Sequence, residues 1–202
     1  MPQLVVVAGP NGSGKTTFIT QLLAGARTLD VALPDRVLNP DEFARAIEPV
    51  NPDRVALAAG RAVLAQRAVL LAARLDFAIE TTLSGQGELR LLLDARSAGY
   101  HIALVYIATE YPAENVMRIG RRYEEQNRSV PGDIVLRRYE RSLGQLSNAV
   151  ARSDVTYLLD NTSFDFAFVA RCEGGRIAEL SDRVPCWAER ALAVELASFR
   201  AG

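Results

Sequence analysis

Apolar residues fall along this chain in short unbroken runs, separated by longer stretches with helical spacing. The runs are Leu4 to Ala8, Arg36 to Leu38, Phe77 to Glu80, Ile102 to Ala108 and Val155 to Leu159. Runs without polar alternation belong to strands buried on both faces, and strands that alternate with helices build a parallel sheet covered on both sides. The helical stretches are Thr16 to Leu23, Asp53 to Leu75, Glu88 to Ala98, Pro112 to Glu124 and Ile134 to about Val150. Pro112 fits the first helical position, where a missing N–H costs nothing. The C-terminal part changes character: two apolar runs flank Glu173-Gly174-Gly175-Arg176, which predicts a β-hairpin within Phe164 to Leu180, followed by a helix from Trp187 to about Phe199. The expected fold is therefore three-layer α/β, with a five-stranded, mostly parallel sheet and a C-terminal hairpin plus helix. At 202 residues, one domain is expected to span the chain.

In such sheets ligands gather at the carboxyl ends of the strands, so the residues just after each strand carry the chemistry. The first strand runs into AGPNGSGKTT, in which Gly9, Gly12, Gly14, Lys15 and Thr16 fit GxxxxGK[ST], the phosphate-binding loop of P-loop nucleotide-binding proteins. Strand, loop and helix follow in the order that the motif requires. Backbone amides from Gly9, Pro10, Asn11, Gly12, Ser13 and Gly14 onward, Proline's excepted, would form a concavity for phosphate at the start of a helix, with Thr17 completing the turn. Lys15 would reach the β- and γ-phosphates of ATP and Thr16 would ligate Mg²⁺.

Composition sharpens this reading. Lys15 is the only lysine among 23 Lys and Arg residues, kept where a compact ammonium, and not a planar fork, suits a tight backbone turn. The net charge of −1 and the pI near 5.9 give no basis for wholesale binding to nucleic acid or a membrane surface. Cys172 and Cys186 match no metal spacing. The first apolar run lacks a basic flank and is too short to span a bilayer or to act as a signal, so a cytoplasmic location is expected.

The second strand is followed by Asn39-Pro40-Asp41-Glu42-Phe43, and the third ends in Glu80-Thr81-Thr82. Asp41 taken alone reads as the N-cap of the helix that follows. A carboxylate that ends an apolar strand is awkward unless it faces an open crevice, and two carboxylates beside a nucleotide site suit a base for an attacking hydroxyl plus a partner for metal or substrate. Between positions 118 and 141 stand seven arginines: Arg118, Arg121, Arg122, Arg128, Arg137, Arg138 and Arg141. The last three read equally as a solvated helix face. The others flank a segment, Glu125 to Pro131, expected to act as a lid whose arginines neutralise charge on a transferring phosphoryl group. Leu83-Ser84-Gly85-Gln86 lacks a glycine of the ABC signature, no Asn-Lys-x-Asp motif occurs, and His101, the only histidine, opens a strand where a structural role is expected.

Taken in order, GPNGSGKTT, Asn39 to Phe43, Phe77 to Thr82, Gly99-Tyr100, and Arg128-Ser129-Val130-Pro131 leading into Arg138-Tyr139-Glu140-Arg141-Ser142-Leu143 resemble the zeta toxin and UDP-N-acetylglucosamine kinase group of P-loop kinases, over residues 3 to about 165. The resemblance implies that Asp41 is the base on a substrate hydroxyl. It also implies that Glu80, with Thr81 and Thr82 beside it, contacts substrate, and that lid arginines contact phosphate. Arg128 holds the toxin-like position three residues before Pro131, and the second phosphate contact falls to Arg118, Arg121 or Arg122. Many chromosomal relatives carry Gly-Gly-His-x-Val-Pro where this chain has Gln126-Asn127-Arg128-Ser129-Val130-Pro131, a departure that bears on the acceptor. The reading is an ATP- and Mg²⁺-dependent kinase acting on a small-molecule hydroxyl, with a UDP-N-acetyl amino sugar as the implied acceptor and an antitoxin protein as the implied partner. The alternative is an NTP-driven regulatory ATPase or switch that acts through a protein partner.

Overall fold

The computed structural model describes residues 1–25, 29–124 and 132–201, with the side chains of 122–124 not described. The chain forms one mixed sheet in the order β2-β3-β1-β4-β5-β6-β7. The strands are β1 (Gln3–Ala8), β2 (Val37–Leu38), β3 (Phe77–Thr81), β4 (His101–Ala108), β5 (Val155–Asp160), β6 (Ala167–Glu173) and β7 (Arg176–Leu180). The first five are parallel, with β1 at the centre between β3 and β4. All five predicted strands are present, each within one residue of its expected ends.

The helices are α1 (Lys15–Leu23), α2 (Pro40–Ile47), α3 (Ala56–Ala73), α4 (Gln86–Ser97), α5 (Pro112–Glu124), α6 (Gly132–Val150), α7 (Cys186–Ala191) and α8 (Ala193–Ala201). Alternate residues of β1 serve opposite faces of the sheet, as the pleat dictates. Leu4, Val6 and Ala8 join the larger core, whose helical members include Val63 and Leu70 of α3, Leu92 of α4 and Leu146 of α6. Val5 and Val7 join the smaller one, against Phe18 and Ile19 of α1. These two cores are the physical content of the three-layer expectation.

The sheet has seven strands and not the expected five, because the C-terminal hairpin does not stand apart from it. β6 pairs antiparallel with β5, Thr156 opposite Cys172, and β7 pairs with β6. Apolar runs alone do not say which edge a hairpin joins. The expected single C-terminal helix is two, broken at Leu192, which leaves helical geometry at φ −126°. Leu192 and Leu196 are both buried, and no proline or glycine marks the break. The buried Trp187 of α7 packs against Tyr106 and donates from its indole nitrogen to Asp160 at 2.7 Å, which fastens this segment to the end of β5. Tyr100 closes another joint: its hydroxyl donates to the carbonyls of Leu70 and Leu75, each at 2.9 Å, where α3 runs out of helical partners. Cys172 is buried and free, its thiol pushed up to about 12 by burial, and Cys186 is exposed and free.

Candidate active site

The site is assembled at the carboxyl ends of β1, β2, β3 and β5. Two glycines of the loop after β1 are required by contacts. At Gly9 (φ 143°) a Cβ would overlap the carbonyl oxygen of Ile107 in β4, and at Gly14 (φ 99°) it would overlap the amide of Asn161. The loop can lie this close to its neighbours only without side chains at these points. Gly14 also stands at the N-cap of α1, so the helix begins with no side-chain cap and its first amides are left for a ligand.

Two buried asparagines grip the loop from outside. Asn115 of α5 donates to the carbonyl of Asn11 at 2.7 Å and accepts from the hydroxyl of Thr109. Asn161, just past β5, donates to the carbonyl of Ser13 at 2.8 Å. With those carbonyls occupied, the amides not used within the loop are the groups that remain to receive an anion. Lys15 is buried, and its ammonium donates to the carbonyl of Pro10 at 2.9 Å, arching back along the loop. A cradle that side chains would fill, an ammonium beside it and an open helix start fit a polyphosphate.

The opposite wall joins three strand ends. Thr16 donates its hydroxyl to both oxygens of Glu80, at 2.9 and 3.1 Å. Asn39 donates to Glu80 Oε2 at 2.7 Å, while its own Oδ1 accepts from the amides of Asp41 at 2.8 Å and Glu42 at 3.4 Å. The N-cap of α2 is therefore Asn39, with Pro40 at the first helical position. This decides one alternative left by the sequence: Asp41 does not cap its helix. Its side chain stays exposed on a cavity of about 320 Å³ that it lines together with Lys15, Thr16, Glu80 and Arg118. Burial raises the Glu80 carboxyl above its ordinary range. Lys15 and the Thr16 hydroxyl oppose that shift, and Asp41 and Glu42 add to it. A hydroxyl and a carboxylate in contact at the mouth of a phosphate loop are a donor set that fits a hard cation such as Mg²⁺.

The other expected residues divide. Thr81 and Thr82 line the cavity, but Thr81 donates to Glu88 Oε1 at 3.0 Å and accepts from the Leu83 amide, while Thr82 pairs with Ser84 at 2.8 Å. Thr17 also lines it. Arg118 donates to the carbonyls of Asn161 and Thr162, both at 2.9 Å, and lies 3.9 Å over the Phe164 ring. Burial draws its pKa down, against Glu114 and Asp160. Arg121 is exposed and does not line the cavity. Arg137, Arg138 and Arg141 are exposed on α6. The lid segment 125–131, with Arg128, lies outside the described residues, as does the Arg122 side chain.

Sequence reasoning missed Asn39, Asn115, Asn161 and Glu88. Asn39 carried a signal, asparagine before proline at a helix start. Asn115 and Asn161 act through contacts 104 and 148 residues distant in the chain and Glu88 through a cavity wall, which no local pattern announces.

The model of the zeta toxin family matches residues 1–163. An uncharacterized protein of Haemophilus influenzae is 28% identical over 135 residues, covering 67% of this chain and 91% of that protein. A chain in the structure of the PezAT chromosomal toxin-antitoxin system of Streptococcus pneumoniae superposes with a TM-score of 0.60 at 18% identity, over 100% of this chain and 87% of that one. The AvrRxo1-ORF1:-ORF2 structure with ATP gives a TM-score of 0.67 at 15% identity, over 89% of this chain, which spans only 60% of that larger one. At these identities the two structural likenesses speak for the fold.

Proposed function

The chain belongs to the zeta toxin family, and from that premise we propose that it is an ATP- and Mg²⁺-dependent kinase that phosphorylates a hydroxyl of a small molecule. One observation carries the reading: a carboxylate released from capping duty, Asp41, lines the same cavity as Lys15 and Thr16. Asp41 accepts the acceptor's hydroxyl proton while that oxygen bonds to the γ-phosphorus and the phosphorus–oxygen bond to ADP breaks. Residues Gly9 to Thr17 hold the phosphates, and Lys15 bears on the β- and γ-groups. Thr16, with Glu80 against it, would hold Mg²⁺, which would supply charge neutralisation. Glu80 also helps to place the acceptor, flanked by Thr81 and Thr82. Arg128 and one of Arg118, Arg121 and Arg122 supply charge to the transferring group, and of the last three Arg118, fixed on two carbonyls, lines the cavity.

The family resemblance supports a UDP-N-acetyl amino sugar as the first acceptor to try. It also supports an antitoxin as protein partner, since the PezAT and AvrRxo1-ORF1:-ORF2 structures come from two-protein systems. The cytoplasm, where ATP and nucleotide sugars are at hand, is the proposed place of action. The test is transfer of label from [γ-³²P]ATP to a panel of nucleotide sugars and other hydroxyl metabolites, with Asp41→Ala as control. Label that reaches one acceptor and is lost in the control supports the kinase. Tight ATP binding without transfer to any acceptor overturns it in favour of a switch that works through a protein.

A further inference from the structure

A second cavity, of about 330 Å³, lies on the α3 side of the first, and the two share Pro40, Glu80, Thr81 and Glu88. A molecule seated in the second therefore reaches the reacting groups of the first. Its walls are Leu38 and Ile79 from the sheet and Leu57, Val63 and Leu64 from α3. Leu57 and Leu64 are 71% and 53% exposed, although both line a cavity. The helical stretch Pro52–Ala73 is long and apolar enough, by length and composition, to cross a membrane, yet few of its residues are buried in the fold. Apolar surface left uncovered around a concavity marks a binding site better than it marks a core.

Among the described residues, the ionisable groups of this cavity are two guanidinium groups, Arg61 and Arg67, and two carboxylates, Glu80 and Glu88. Glu80 is turned to Thr16 and Asn39, and Glu88 lies within electrostatic reach of Arg67, so the rest of the wall is aliphatic, and sugar hydroxyls set against leucine would lose hydration without replacement. One polar atom does ask for a partner. Glu88 Oε1 accepts from Thr81, whereas Oε2 is buried and accepts no hydrogen bond. Glu88 is the third residue of α4, where a glutamate commonly reaches back to the capping residue, but Oε2 takes no bond from Gly85 either. An acceptor left unpaired in a buried position is costly, and a ligand's N–H or O–H would relieve that cost.

We propose that this cavity holds the body of the phosphoryl acceptor, and that the acceptor is an alcohol with an apolar body and one hydrogen-bond donor for Glu88, in place of a nucleotide sugar. The inference rests on the kinase reading for the fate of the alcohol, but not for its binding. Binding is measured first, by calorimetric titration of the Asp41→Ala protein with 4-hydroxybutanamide, 6-hydroxyhexanamide, 8-hydroxyoctanamide and UDP-N-acetylglucosamine. Each added methylene should lower Kd about fourfold, the equivalent of about 0.8 kcal/mol per buried CH₂. Leu64→Asp, at an exposed position that the core does not need, should abolish this dependence while ATP affinity stays as it was. Glu88→Gln, which still suits the third position of a helix, should weaken the longest amide several-fold without lowering the unfolding temperature. A Kd independent of chain length, or a series indifferent to Leu64→Asp, overturns the proposal, as does tighter binding of the nucleotide sugar. Transfer of label by the unsubstituted protein is read separately. Chain-length-dependent binding without transfer leaves the pocket standing and removes the kinase reading, whereas transfer to the nucleotide sugar alone removes the pocket and keeps the kinase.

Discussion

The two sides of the candidate site are built by opposite means. On the phosphate side, buried polar groups hold the backbone: Asn115 and Asn161 take up loop carbonyls, Asn39 joins a helix start to Glu80, and Lys15 lies folded on Pro10. On the α3 side, aliphatic side chains form the wall and several of them remain exposed. Buried hydrogen bonds are directional and costly to leave unmade, so the first side is preorganised for one shape of ligand. Aliphatic contacts are not directional, so the second side can change its acceptor by exchanging a few side chains.

The sharpest way to break the comparison is at Asp41, which lines the phosphate-side cavity next to the shared Pro40. Asp41→Ala should lower the rate of transfer by about two or more orders of magnitude. Nucleotide affinity should barely change, because the backbone of Asp41 is held by Asn39 and not by its own carboxylate. Single-turnover kinetics beside a nucleotide titration separate the two effects, and an equal loss of both would assign Asp41 to the phosphate side.

Next in size is Asn115→Ala, which strips partners from the Asn11 carbonyl and the Thr109 hydroxyl. It should cost about 1–3 kcal/mol in urea unfolding and weaken ATP binding about tenfold. Its counterpart on the aliphatic side is Val63→Ala, which removes buried methyl groups from the wall of the second cavity. That change should cost about 1.5 kcal/mol of stability and leave ATP affinity intact. If both substitutions weakened ATP alike, the two sides would not be separable.

The smallest effect concerns pH. Burial raises the Glu80 carboxyl, so the folded protein holds that proton where an unfolded chain has released it. The protonated group therefore contributes stability that is full below the ordinary carboxylate range and is lost as pH rises through the raised value. Thermal unfolding of the ligand-free protein across that window should show the decline, and Glu80→Gln should flatten it. A decline of the same size in the variant would place its origin elsewhere.

How much of this could be read from the chain depends on the distance over which each contact acts. The five parallel strands and the phosphate loop are local patterns, and Gly9 and Gly14 occupy positions where only glycine fits. Asp41 could be picked out because it follows a strand and Glu80 because it stands at the end of one. Their division of labour could not, since it depends on Asn39 reaching Glu80 across 41 residues. Thr81 and Thr82 look like substrate ligands in sequence, yet in the fold their hydroxyls are engaged by Glu88 and Ser84. The edge that β6 joins and the bend at Leu192 follow from packing against β5 and the core, and nothing in the periodicity of residues 164–201 encodes either.

The family match ends at residue 163, just after β5, whereas the sheet continues for two more strands. A polypeptide shortened to that boundary would keep every residue proposed here for chemistry and would lose the cover along one whole side of β5. The backbone groups that now pair with β6 would become an open template for any foreign strand, and Asp160 would lose its indole partner. The 39 residues after the match thus close the β5 edge, and the matched part of the sheet leans in this chain on an extension that the match does not include.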